Sequence, residues 1–102
     1  MYLRVFISRF PNAMKAKLCL TYMQSTIPKL EKESKLLRFR IMDIGEGKLL
    51  NVAEYNAKED FEEANKWLGP MILQGVKELD GVIESIPGEV IFSWERNINK
   101  TP

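Results

Sequence analysis

Histidine is absent from the 102 residues of this chain, and cysteine occurs once, at Cys19. Imidazole is the most common general base near neutral pH and the most common metal ligand in proteins. Its absence excludes Ser-His and Cys-His nucleophiles, zinc sites built with histidine and histidine-ligated haem. Any catalysis must therefore use a carboxylate, a tyrosine, a lysine, an organic cofactor or the reactivity of the substrate itself.

A signal for export is also missing. A single cysteine cannot form an intramolecular disulfide, which favours a reducing compartment. The first ten residues, MYLRVFISRF, lack the basic segment and the long apolar run of a signal peptide. No apolar run of the sequence approaches the roughly 20 residues that cross a bilayer. We expect a cytoplasmic protein that has no membrane partner.

Charge of one sign is not in excess, since 15 basic and 14 acidic residues give a net charge of +1. No overall field therefore attracts nucleic acid, and we expect no nucleic-acid partner. Hydrophobic residues make up 45% and charged residues 28% of the chain, which is ordinary globular usage. The length predicts a single domain over residues 1–96, followed by a polar tail at residues 97–102.

The stretch around which the chain is organised is a predicted hairpin over residues 36–55. Two apolar-rich runs flank the Gly-Glu-Gly sequence at positions 45–47. Glycine tolerates the positive φ angles of tight hairpin turns, so this sequence predicts the turn. The corresponding register sets Arg38 opposite Tyr55 and places Glu54 on the face that the helices cover.

Two further strands are predicted at the ends of the domain. Residues 2–10 and 82–96 carry the side-chain alternation and the β-branched residues of strands. Pro87-Gly88 divides the second of these runs and predicts a bulge or a bend at a sheet edge.

Two helices are predicted between the strands. Residues 13–30 carry apolar side chains at helical spacing, with a kink or restart at Pro28. Asn56 is predicted to cap a second helix, which Gly69-Pro70 interrupts before it continues to residue 79. The acidic residues in its first turns suit the helix dipole, so we interpret them as structural and expect no metal site.

The predicted order of strand, helix, strand, strand, helix, strand is the α+β, ferredoxin-like arrangement, an antiparallel sheet with two helices on one face. Both parities of the strands are apolar: Phe6 stands beside Val5, and Met42 beside Ile41. A sheet face open to water should instead be polar. We therefore expect the open face to pack against an identical subunit in a homodimer.

The stretch LLRFRIMDIGEGKLLNVAEYN, the capped acidic helix after it and the later PGEVIFSWER together resemble the antibiotic-biosynthesis-monooxygenase-like dimeric α+β barrel family. The resemblance covers about residues 2–96. It implies a homodimer in which two sheets form a barrel, with a small cleft between the sheet and the helices of each subunit. It also implies a cofactor-independent monooxygenase-like enzyme acting on a small aromatic metabolite.

The family's site residues carry over only in part. Quinol-oxygenating members are described as using asparagine, tryptophan and tyrosine in the cleft, and Asn65 and Trp67 lie in the corresponding helix. Residues two apart point about 200° away from each other on a regular helix, so these two cannot line one wall. Haem-degrading relatives use a histidine that this chain lacks.

Five residues are the candidate ligand-binding positions, and no catalytic residue is assigned. Four of them also have a structural interpretation: Trp67 as a core residue at a helix break, Tyr22 as an additional core contact, Glu54 as the partner of an arginine such as Arg4 or Arg40, and Tyr55 in a cross-strand stack with Arg38. The candidate residues are Trp67, Glu54, Tyr22, Phe39 and Tyr55.

Two functions remain open at this point. The first is the cofactor-independent enzyme that the resemblance implies. The alternative is a non-catalytic protein that holds a small hydrophobic ligand in the same cleft. An RNA-binding module has the same strand order, but residues 48–53 lack the paired aromatics that stack bases.

Overall fold

The computed structural model describes residues 1–96. Over this range the chain forms strands and helices in the order β-α-β-β-α-β. The elements are β1 (Tyr2–Arg9), α1 (Ala13–Thr26), a short 3-10 helix (Ile27–Leu30), β2 (Arg38–Gly45), β3 (Lys48–Tyr55), α2 (Lys58–Glu78) and β4 (Val82–Glu89).

The four strands form one antiparallel sheet in the order β2-β3-β1-β4. Helix α2 contacts β4, β1 and β3, and helix α1 contacts β3. The predicted ferredoxin-like fold is confirmed. The predicted polar tail, residues 97–102, lies outside the described residues.

The core lies between the sheet and the two helices because each helix buries one apolar stripe. The buried residues of α2 recur at intervals of three or four, which places them on one face. They are Phe61, Ala64, Leu68, Ile72 and Val76. Those of α1 are Ala16, Cys19 and Met23. Among the apolar residues, the sheet contributes Phe6, Leu49, Ala53 and Tyr55.

Local sequence explains both ends of α1. The Asn12 side chain accepts a hydrogen bond of 2.9 Å from the backbone N–H of Lys15, which caps the first turn. The helix ends at Thr26, and the chain continues as the 3-10 helix with Pro28 in its first turn. The predicted restart at Pro28 is therefore observed.

The predicted hairpin register is wrong by one residue on β2. Positive φ angles occur at positions 45, 46 and 47, so the turn lies where the sequence placed it. The pairing shifts between Asp43 and Gly45, however, and this bulge leaves Ile44 as an extra residue. Arg38 consequently pairs with Glu54 instead of Tyr55.

Three other predicted boundaries differ from the structure. Helix α2 continues through Gly69-Pro70 without interruption. Its N-cap is Ala57, which makes no side-chain hydrogen bond, so Asn56 does not cap it. Strand β4 runs without a register break through Pro87-Gly88, and it ends at Glu89. Proline is tolerated there because β4 is an edge strand.

None of the helices found in residues 1–96 is both long and apolar enough to cross a membrane.

Candidate functional site

A cleft of about 460 Å³ lies between α2 and the strand pair β1–β4. It has an apolar wall, a polar cluster at one side and a volume within the range of small-molecule sites. Its lining residues are Arg4, Phe6, Asn65, Gly69, Pro70, Leu73, Ile83 and Ser85.

The periodicity of the elements places these side chains together. Arg4 and Phe6 are two residues apart on β1 and therefore point to the same face of the sheet. Ser85 is the register partner of Phe6 on β4, so it lies on that face as well. On α2, Asn65 and Gly69 are four residues apart, and they therefore form one row above the sheet.

Arg4 is the centre of the polar cluster. Its Nε donates a hydrogen bond of 2.7 Å to Ser85 Oγ, and its Nη1 donates to Asn65 Oδ1. The guanidinium carbon lies 4.0 Å from the centroid of the Phe6 ring, within cation–π distance. A second aromatic ring, that of Phe61, is 5.6 Å away. Contacts from β4, from β1 itself and from α2 therefore hold this guanidinium in place.

The half-buried Arg4 has no carboxylate partner in the described structure. The ion pairs found within residues 1–96 involve other side chains. Burial lowers the pKa of Arg4 from its ordinary value, and the nearby Tyr55 opposes that shift. Burial likewise raises the pKa of Tyr55, and the charge of Arg4 opposes it. The guanidinium keeps its proton at neutral pH.

Gly69 leaves the space that the hydrogen bond between Arg4 and Asn65 occupies. A β-carbon at this position would lie 2.5 Å from Asn65 Oδ1 and 3.5 Å from Arg4 Nη1. The first distance is well inside van der Waals contact, so any larger residue here displaces the Asn65 amide. The glycine therefore belongs to the construction of the site.

Glu54 does not face the helices, which corrects its predicted position. Because the register of β2 is shifted, Glu54 lies on the sheet face opposite the helices, where it pairs with Arg38 at 3.2 Å and Arg40 at 3.0 Å. The alternative interpretation, pairing with an arginine, is the arrangement observed.

Tyr55 and Phe39 lie on the helix-facing side of the sheet but outside the cleft. Tyr55 is buried and packs edge-on against Phe61, with ring centroids 5.8 Å apart at 68°. The predicted stack of Tyr55 with Arg38 is therefore wrong. Phe39 lines grooves beside the 3-10 helix, where Ile27 and Pro28 are its neighbours.

Trp67 and Tyr22 lie on the two helices, outside the cleft. Trp67 is partly buried against the core. A β-carbon at Gly75 would lie 3.1 Å from Tyr22 Cε2, so that row of α2 faces α1. Trp67 is two residues from Asn65 and therefore points about 200° away from it, whereas Asn65 faces the cleft. The five candidate residues are thus not brought together into one site.

Sequence reasoning did not select Arg4 or Ser85 as site residues, and it named Asn65 only through the family resemblance. One local signal was available for Arg4: it stands between Tyr2 and Phe6 in one parity row of β1. A charged residue in an otherwise aromatic inward row is a marker of function or pairing. No local signal identifies Ser85, since its relation to Arg4 spans 81 positions of the chain.

The opposite face of the sheet, here called the open face, carries eight apolar residues together with charged residues such as Glu54, Arg38 and Arg40. It is not covered by either helix, and Met42 is 53% exposed on it. Beyond β4, Phe92 and Trp94 are 79% and 69% exposed. The apolar residues of the open face are Leu3, Val5, Ile7, Met42, Leu50, Val52, Val82 and Ile86.

Within the described range, no group of three or more Cys, Asp or Glu side chains is positioned to hold a metal ion.

No protein-family model and no curated protein sequence matches this chain. Several solved structures, however, are similar to this chain in fold. A dimeric ferredoxin-like protein from an uncultured marine organism has a TM-score of 0.73 and 19% identity, covering 94% of this chain and 100% of its own. A monooxygenase from Streptomyces coelicolor, in complex with nanaomycin D, has a TM-score of 0.77 and 8% identity, with coverage of 94% and 92%.

A third similar structure is that of SnoaB, a cofactor-independent oxygenase from Streptomyces nogalater. Its TM-score is 0.72 at 11% identity, and the match covers 93% of this chain and 97% of SnoaB. Antibiotic-biosynthesis-monooxygenase-like proteins are thus among the structures that this chain resembles. The resemblance expected from the sequence is confirmed for the fold.

Proposed function

We propose that this protein is a small homodimeric, cofactor-independent monooxygenase-like enzyme that acts on a small aromatic metabolite in the cleft between α2 and β1–β4. The observation that carries the proposal is the pairing of an apolar wall with a fixed polar cluster. Leu73 and Ile83 offer an apolar surface to a flat ring, while Arg4 offers N–H donors beside it. The names of the similar structures agree with this chemistry.

The described residues of the cleft include no carboxylate, tyrosine or cysteine, and the chain has no histidine. In the cofactor-independent reaction proposed here, the substrate itself supplies the electrons, as an electron-rich hydroquinone does. One oxygen atom of dioxygen enters a ring C–H bond as a hydroxyl, and the ring becomes a quinone. The other oxygen atom leaves as water with the two hydroquinone hydrogens, so four electrons pass to dioxygen. Arg4 stabilises the negative charge that develops on a substrate oxygen.

Oxygenation is tested with 1,4-dihydroxynaphthalene under ¹⁸O-labelled dioxygen, followed by mass spectrometry of the products. The proposal expects protein-dependent 2-hydroxy-1,4-naphthoquinone that carries one labelled oxygen. Spontaneous oxidation gives the unlabelled 1,4-quinone, so the label separates the two routes. The absence of labelled product across a panel of hydroquinones would overturn the enzymatic proposal.

The location of the reaction is tested with a matched pair of leucine variants. Leu73 lines the cleft and Leu18 is exposed on α1 away from it. Leu73→Trp fills the cleft and should cost about one to two kcal/mol of substrate binding. The amount of labelled product should therefore fall at least about tenfold. Leu18→Trp should leave it unchanged. Equal effects of the two substitutions would place the reaction elsewhere.

The homodimer is proposed to form through the open face. Large exposed apolar surfaces mark interaction sites, and an identical sheet is the simplest cover. Two exposed methionines allow a direct test: Met42 lies on the open face, and Met14, 73% exposed, lies on α1. Sedimentation should give a dimer for the wild type and Met14→Glu, and a monomer for Met42→Glu. A wild-type monomer at high concentration would contradict the proposal.

A second candidate function is the binding of a small hydrophobic ligand without chemistry. It is favoured by the absence of an acid–base side chain among the described cleft residues. Anaerobic binding of 1,4-dihydroxynaphthalene without any labelled product in air would support it over the enzyme. We also propose a cytoplasmic location, since Cys19 is a free, buried thiol that suits a reducing compartment.

A further inference from the structure

The charge of Arg4 is not neutralised by the side chains around it. Its two hydrogen-bond partners, Asn65 and Ser85, are both neutral. A half-buried charge is normally matched by an opposite charge, because desolvation otherwise costs free energy. The cleft therefore contains a positive charge whose partner is not supplied by residues 1–96.

The acidic and phenolic groups on the strands that pair with β1 do not fill this role. Glu84 pairs with Ile7 in the register and so lies on the open face. Glu89 lies opposite Tyr2, but no ion pair joins it to Arg4 within 4.0 Å among the described residues. Burial raises the pKa of Tyr55, so its phenol is uncharged at neutral pH. Residues 97–102 contain no acidic side chain.

The guanidinium also has N–H donors that its described contacts do not use. Arginine carries five N–H donors, and the described contacts of Arg4 use one on Nε and one on Nη1. Three remain, and both Nη atoms contribute to them. A carboxylate accepts two parallel N–H bonds from such a fork, whereas a hydroxyl oxygen offers a single acceptor atom. The cation–π contact with Phe6 holds the guanidinium plane and limits the entropy lost on binding.

The apolar lining begins directly beside this charge. Leu73, Ile83 and the Phe6 ring border the same cleft as Arg4. A ligand that satisfies both features has a flat apolar body and one anionic group at its edge.

We propose that the substrate of this cleft is an aromatic carboxylic acid whose carboxylate binds the Arg4 guanidinium. This inference rests on the function proposed above, because it names the substrate class of the same cleft. Arg4 anchors the acid, Ser85 and Asn65 orient Arg4, and the apolar wall holds the ring.

Two probes that differ only in the carboxylate test the inference: 1,4-dihydroxy-2-naphthoic acid and 1,4-dihydroxynaphthalene. Their affinities are measured by calorimetric titration without oxygen, so that no turnover interferes. The wild type should bind the acid about 10- to 100-fold more tightly, the range for hydrogen bonds to a charged group. Equal affinity for the two probes would overturn the inference.

Substitutions test whether Arg4 causes the preference for the acid over the neutral probe. Arg4→Met should abolish the preference, because it weakens binding of the acid far more than binding of the neutral probe. Arg9→Met, on the same strand but exposed and outside the cleft, should keep the full preference. A folded Arg4→Met protein that retains the preference would refute the assignment. Should Arg4→Met fail to fold, Arg4→Lys decides: it keeps the charge without the fork, so undiminished preference refutes it.

Labelled dioxygen is then admitted to the same samples. Selective binding of the acid without labelled product would overturn the oxygenase proposal and leave the ligand class standing. Labelled product from both probes with equal affinity would overturn the ligand class and leave the oxygenase proposal standing.

Discussion

Replacing Gly69 by alanine tests whether the polar cluster is built as described. The new β-carbon would lie 2.5 Å from Asn65 Oδ1, and it cannot retreat because it is fixed to the backbone of α2. The Asn65 amide must rotate away instead, and its hydrogen bond from Arg4 breaks. The substitution thus removes one of the two contacts that orient the guanidinium without touching Arg4 itself.

The expected change in stability is the difference of opposing terms. Alanine is favoured over glycine in a helix by up to about 1 kcal/mol. Loss of a hydrogen bond from a partly exposed charged group costs about 1 kcal/mol or somewhat more. Pro70 also disfavours a β-carbon on the preceding helical residue. We expect Gly69→Ala to lie between no change and a loss of about 1 kcal/mol in the free energy of unfolding.

Gly75→Ala is the matched control on the same helix. Its β-carbon would lie 3.1 Å from Tyr22 Cε2, and the Tyr22 side chain is 40% exposed and able to move. This variant should therefore gain about 0.5–1 kcal/mol from helix propensity alone.

The two glycine variants are compared by urea unfolding and by anaerobic titration with 1,4-dihydroxy-2-naphthoic acid. Gly69→Ala should bind the acid at least about fivefold more weakly than the wild type, equivalent to about 1 kcal/mol, and Gly75→Ala should bind it unchanged. If Gly69→Ala is stabilised as much as Gly75→Ala and binds the acid normally, Asn65 does not position Arg4.

Three further predictions concern stability. Burial raises the pKa of Tyr55 in the folded state, so the stability that its neutral phenol contributes is complete below about pH 10 and is lost as the pH rises through the folded-state pKa. Between about pH 9 and 11, the free energy of unfolding in urea should therefore fall less for Tyr55→Phe than for the wild type. Val76 is 0% exposed, so Val76→Ala should cost about 2 kcal/mol, while the control Leu18→Ala, at an exposed position of α1, should stay within about 0.5 kcal/mol. Asn12→Ala removes a helix cap that contributes about 1 kcal/mol to the free energy of unfolding, so it should lower the thermal midpoint. Equal losses for Val76→Ala and Leu18→Ala, an unchanged midpoint for Asn12→Ala, or no difference at high pH would contradict the corresponding assignment.

The order of elements was predictable because the signals are local. Apolar spacing identified both helices, and the glycines at positions 45 and 47 located the hairpin turn, where the structure has positive φ angles. Pro28 marked the end of α1 correctly. At Pro70 the same rule failed, because the packing of residues on both sides of the proline keeps α2 continuous.

The strand register was not predictable from the pattern. A single bulge residue, Ile44, moves every side chain of β2 by one place against β3. Residues on both faces of this hairpin are apolar, so the alternation of apolar and polar side chains did not indicate the shift. The prediction that Glu54 faces the helices failed for this reason.

The candidate site was not predictable because its contacts are long-range. Arg4 meets Asn65 across 61 positions and Ser85 across 81 positions of the chain. No spacing rule of a helix or a strand connects such residues. Only the pairing of β1 with β4 and the packing of α2 above them bring the three together.

A crystal structure grown without oxygen in the presence of 1,4-dihydroxy-2-naphthoic acid is the most direct test of the cleft as the substrate site. We expect the naphthalene ring against Leu73 and Ile83, with both carboxylate oxygens at about 2.7–2.9 Å from guanidinium nitrogens of Arg4. A ligand in the groove beside Phe39, or one whose carboxylate points away from Arg4, would contradict the account.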